Sequence, residues 1–107
     1  MKEENILCGA GGLQQKFYMN PRFSRLPESV QQELKGALGA LAEQAGGTIL
    51  LEYRDTGDLD LHRIRDEGDI DTDEIGTRLL IDSLLKEKEE LFLRLKAFYL
   101  AFYGDRS

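Results

Sequence analysis

The chain has one cysteine, Cys8, one histidine, His62, and fewer bases than acids, with 14 Lys/Arg against 20 Asp/Glu. A single thiol cannot form an internal disulfide, so packing must hold the fold together. A zinc site needs three or four ligands, and Cys8 with His62 supplies two. A Cys8–His62 nucleophile pair would need a third, orienting group. Cys8 lies in an apolar run and reads as a small buried residue, and a lone histidine on a polar strand reads as solvated. The net charge of −6 leaves no basic footprint for a phosphate backbone, so nucleic acid is excluded as a main partner. The same balance disfavours an anionic membrane surface. No apolar run approaches the length of a membrane span, and the N-terminal MKEENILCGAGG lacks the apolar core of a signal peptide. A cytoplasmic location is the default expectation.

What is present is acid, concentrated in one place. Residues 52–74 hold Glu52, Asp55, Asp58, Asp60, Asp66, Glu67, Asp69, Asp71, Asp73 and Glu74. Otherwise the 41% hydrophobic and 32% charged content is that of a soluble globular chain. A chain of 107 residues is one domain, 1–107, with material for one core.

The pattern along the chain predicts an α+β domain. Ile6–Cys8 and Gln15–Met19 are short strands separated by the glycines Gly9, Gly11 and Gly12. Residues 27–45 form a helix, with Pro27 in its first turn and Val30, Leu34, Ala37, Leu38, Leu41 and Ala45 on one stripe. Gly36 and Gly39 weaken it and point to another backbone packed close by. Gly46-Gly47 supplies a left-handed stop.

Residues 48–64 then alternate with period two around Asp55-Thr56-Gly57, a three-residue hairpin loop. Ile49, Leu51, Tyr53, Leu59 and Leu61 mark its buried face, and Glu52, Asp58, Asp60 and His62 its wet one. Thr77–Ile81 alternates as a third strand, followed by a helix capped at Asp82 or Ser83 and running over 83–103. The expected architecture is a small antiparallel sheet, the hairpin 48–64 plus short flanking strands, covered on one face by the two helices 27–45 and 83–103.

The segments QQKFYMNPRFSRLPESVQQELK, GGTILLEYRDTGDLDL, DEGDIDTDEIG and SLLKEKEELFLRLKAFY are together similar to a family of small uncharacterised proteins, a domain of unknown function, from clostridial-type bacteria. The resemblance spans about Cys8 to Tyr103 and implies a bacterial cytosolic protein. It carries over no catalytic or binding residue.

Four groups could carry chemistry. Asp69-x-Asp71-x-Asp73 opens like an EF-hand loop, but Glu74 and Leu80 stand where glycine and the bidentate acid are required. Asp58-x-Asp60-x-His62 fails likewise, with Arg63 at the glycine position. A charged, solvated surface is the simpler account of the acids. Gly9-x-Gly11-Gly12 opens no helix and so is no dinucleotide loop. Arg22, Arg25, Arg63 and Arg65 could clamp a phosphate, but ion pairing with nearby acids is the simpler account. The surplus lies on the last helix, whose central stripe is Leu84, Leu91, Leu95, Phe98 and Phe102. Leu93 and Leu100 sit seven residues apart on a separate line, the mark of a second subunit or partner, or of a helix buried on two sides.

The leading expectation is a non-enzymatic protein-binding or regulatory module, a homodimer through Leu93 and Leu100, with Asp69, Asp71 and Asp73 facing a basic partner or solvent. It assigns no catalytic residue, metal ligand or cofactor. The alternatives are a divalent-cation-dependent enzyme or sensor built on the acidic loop 66–74, and a structural subunit of a larger complex.

Overall fold

The structure is a computed structural model that describes residues 5–11, 16–64 and 74–103. In chain order it comprises β1 (Ile6–Gly11), β2 (Lys16–Met19), a short 3₁₀ turn (Pro21–Phe23), α1 (Glu28–Ala45), β3 (Thr48–Tyr53), β4 (Leu59–Ile64), α2 (Glu74–Glu87) and α3 (Glu89–Tyr103). The strands form one antiparallel sheet in the order β2-β1-β3-β4, and the fold is α+β as expected.

The hairpin follows its local chemistry. Gly57 takes φ +89°, its amide donates to the Arg54 carbonyl, and the Arg54 amide donates to the Asp58 carbonyl, closing a three-residue loop over 55–57. The Tyr53↔Leu59 and Leu51↔Leu61 pairings then put Ile49, Leu51, Tyr53, Leu59 and Leu61 on one face. Cys8 and Ala10 of β1, paired with Leu51 and Ile49, share that face. They bury against Leu34, Leu38, Leu41 and Ala42 of α1, Ile81 of α2, and Leu91, Leu95 and Tyr99 of α3.

Phe23, delivered by the 3₁₀ turn, closes one end of the core. Its ring centroid lies 5.3 Å from those of both Tyr53 and Tyr103. Tyr53 stacks on Tyr99 at 4.5 Å and donates its hydroxyl to the Leu95 carbonyl at 2.8 Å. Asn20 ties β1 to the turn, since its side-chain amide donates to Ile6 O and its backbone amide to Leu7 O.

Several expectations need correction. Thr77–Ile81 is not a third strand but the middle of α2. Its alternation is a five-residue fragment of a helical pattern in which Thr77 and Ile81 are buried and Leu80, Leu84 and Leu85 partly so. Asp82 and Ser83 therefore cap nothing, and Asp82 instead pairs with Arg78 one turn earlier. The expected 83–103 helix is interrupted at Lys88, within the charged run 86–90, so among the described residues three α-helices rather than two accompany the sheet. Lys88 reaches across to Glu33 of α1 at 3.3 Å. Leu91, Leu95 and Tyr99 are the buried line of the last helix, while Phe102, expected on its central stripe, is exposed.

Gly9 and Gly11 lie within β1 rather than in a turn. A Cβ on Gly9 would stand 2.6 Å from Leu50 Cδ2, so the missing side chain is the space that Leu50 occupies. Among the described residues, no backbone from another element packs on Gly36 or Gly39, and nothing lies within 4 Å of where either Cβ would be.

Candidate functional site

The two candidate surfaces singled out by sequence fare differently. Asp69, Asp71 and Asp73, with the rest of the acidic loop over 66–73, lie outside the described residues, and its last member, Glu74, opens α2. Leu93 and Leu100 are both on α3 and both exposed, at 60% and 49%. Ala97 and Ala101 are exposed beside them, so residues 93, 97, 100 and 101 make an apolar strip at helical spacing. Leu100 has a second attachment. Its Cγ and Cδ2 lie 3.2 Å from where a Cβ on Gly57 would be, so it rests on the hairpin tip. The packed side of this leucine is thus intramolecular, and the rest of it faces outward.

The hairpin tip is tied to α3 by charge as well. Lys96 Nζ sits 2.8 Å from Asp58 Oδ1, and Thr56 Oγ1 donates to Asp58 Oδ2 at 2.8 Å. These hydrogen bonds, the Lys96 bond first, hold the Asp58 carboxyl below its ordinary value. A folded-state value lowered in this way contributes stability above the unfolded pKa, near 3.8, and loses it as pH falls through the folded value. The Asp58→Asn variant is accordingly expected to show a weaker acid dependence of its thermal midpoint below about pH 4 than the parent. Parallel melts between neutral pH and pH 2 check this, and identical slopes would remove Asp58 from the acid response.

Sequence reasoning missed a second apolar pair. Ile75 and Leu79, one turn apart on α2, are exposed at 77% and 64%. They escaped notice because their segment reads as loop and strand. The i, i+4 spacing across 75–79 was the available signal.

Among the described residues, the candidate phosphate-binding arginines are each engaged locally. Arg22 lies over the Tyr103 ring at 4.7 Å, Arg25 over Phe102 at 5.4 Å, and Arg63 Nε donates to Gly46 O at 2.6 Å at the end of α1. Arg65 is outside the described residues. Cys8 and His62 lie on opposite faces of the sheet, because Cys8 pairs with Leu51 while His62 pairs with Leu50. Burial pushes the Cys8 thiol up to about 12, which suits a packed side chain and not a nucleophile.

The face of the sheet turned away from the core carries Glu52, Asp60 and His62. The hairpin register sets Glu52 opposite Asp60 and His62 two residues further along β4. One donor atom from each lies within 4.8 Å of the others. Sequence reading placed these three on the wet face but set them aside as separate solvated groups. Cross-strand register is what gathers them.

The fold is thus a four-stranded α+β sheet with helices on one face, an apolar strip on its last helix and a histidine-carboxylate group on the other face. Residues 4–107 match the family of unknown function DUF6145, and the chain belongs to that family. No curated protein and no solved structure matches it. Among the described residues, no helix is long and apolar enough to cross a membrane.

Proposed function

We propose that this chain is a protein-binding module that works as a homodimer, with α3 as the contact. The observation that carries this reading is the exposed strip of Leu93, Ala97, Leu100 and Ala101. A two-fold contact requires a surface complementary to itself. Laid antiparallel against a second copy, this strip sets Leu93 against Leu100 twice, with the small Ala97 near the crossing, where the helix axes must approach. Arg94, the cation beside the strip, is already engaged with Glu90 at 3.4 Å, so pairing two copies need not strand a charge.

The test is hydrodynamic. The parent is expected to elute as a dimer of the 12.1 kDa chain, and Leu93→Glu with Leu100→Glu as a folded monomer. Leu93→Glu alone is the cleaner variant, because Leu100 also supports the hairpin tip. A parent that runs at 12.1 kDa at all accessible concentrations would sink the proposal.

A further inference from the structure

The pairing of Glu52 with Asp60 is electrostatically unfavourable as it stands. Like charges directly opposite each other on neighbouring strands destabilise a sheet. Arg54 gives partial relief, with Nη2 3.9 Å from Asp60 Oδ1, across two exposed side chains. The group that faces both carboxylates is His62. Its Nδ1 lies 3.7 Å from Glu52 Oε1 and 3.9 Å from Asp60 Oδ2.

Those distances are too long for hydrogen bonds, which fall at roughly 2.7–3.2 Å. Yet Nδ1 is shielded from solvent and, among the described residues, has no hydrogen-bond partner. A shielded ring nitrogen held beyond bonding distance of two carboxylate oxygens, and facing both, matches donors arranged around a shared centre. Ligands of a tetrahedral ion bonded at about 2.0–2.1 Å stand roughly 3.4 Å apart. The two distances from His62 Nδ1, 3.7 and 3.9 Å, exceed that spacing by a few tenths of an ångström, and the carboxylate oxygens, within 4.8 Å of each other, would close on it by side-chain movement.

We propose that Glu52, Asp60 and His62 form a binding site for a divalent first-row transition ion. The donor set selects the class. Imidazole suits zinc and its neighbours, whereas calcium and magnesium prefer oxygen throughout. The ion would neutralise the opposed carboxylates and give His62 Nδ1 its missing partner. Three protein donors leave a tetrahedral ion one open position, for water or for a ligand presented by another molecule. The site rests on two adjacent strands joined by a three-residue loop, so its geometry is set by sheet register rather than by the acidic segment 66–74. It does not depend on α3 or on self-association.

Zinc is the probe, added to tag-free full-length protein first stripped with chelator. His62 is the chain's only histidine, so its imidazole proton resonances can be followed without assignment. Expected are saturable binding of one Zn²⁺ per chain, displacement of the imidazole signals, and a rise in thermal midpoint. His62→Ala and Glu52→Gln should each weaken binding at least ~10-fold, the least that disturbing a metal's surroundings costs. Asp69→Asn/Asp71→Asn/Asp73→Asn should bind as the parent does. With chelator present, Glu52→Gln should melt no lower than the parent, because it removes a like-charge contact. Imidazole signals unmoved by millimolar Zn²⁺ would overturn the proposal without reference to any variant. So would undiminished binding in folded His62→Ala, or binding lost only in the triple variant.

Discussion

Phe23→Ala is expected to cost about 3–5 kcal/mol, the range for emptying a buried aromatic position. Phe23 is fully buried, and it comes from a 3₁₀ turn of only three residues. Its ring packs against Tyr53 of β3 and edge-on against Tyr103 of α3, so one side chain joins the turn, the sheet and the last helix. Aromatic pairing adds about 0.5–1.5 kcal/mol to the area buried. A domain of this size has only about 5–15 kcal/mol in total. The variant should therefore lose a large part of its stability, with a fall in thermal midpoint of roughly 12 °C or more. Urea melts of parent and variant measure this directly. A loss below about 1 kcal/mol, ordinary for a surface change, would show that Phe23 does not close the core.

Gly47→Ala should be the next most damaging of the changes considered, for a different reason. Gly47 has φ +82°, a conformation that costs an L-residue about 1–2 kcal/mol. The added methyl would also stand 3.1 Å from Arg63 Nη2 and 3.2 Å from Nε. That guanidinium donates to Gly46 O just past the end of α1. A hydrogen bond from a charged donor contributes about 1.5–3 kcal/mol net, so partial displacement brings the expected cost to about 2–4 kcal/mol. A double-mutant cycle separates the two parts. In an Arg63→Ala background, Gly47→Ala should cost only the backbone share. Equal costs in both backgrounds would mean that the guanidinium moves aside freely.

These positions illustrate what was legible in the chain. Gly46-Gly47 and Asp55-Thr56-Gly57 could be read directly, because a positive φ is a local demand that few residues meet. The faces of the hairpin followed from period two. Thr77–Ile81 was misread because five residues fit strand and helix alike, and only Leu84 and Leu85 beyond them decide the period. The interruption at Lys88 has no glycine or proline to announce it. Gly9 sits within a strand because of Leu50, a neighbour from another strand that local sequence cannot reveal.

The candidate sites divide in the same way. Leu93 and Leu100 could be found by angle around a helix. Glu52, Asp60 and His62 could be placed on a face, but their convergence depends on which residue opposes which. Counting carboxylates along the chain drew attention to 66–74 instead.

The contact of Leu100 with Gly57 has a dynamic consequence. A hairpin tip usually frays alone, at little cost. Here the tip is held by Leu100 and by the Lys96–Asp58 pair, while Tyr53 at the strand end holds the Leu95 carbonyl. Opening the tip therefore requires lifting the final helix, and lifting that helix frees the tip. Tyr53 at the end of β3 and Leu95 of α3, 42 positions apart in the chain, are expected to open as one cooperative unit in hydrogen exchange.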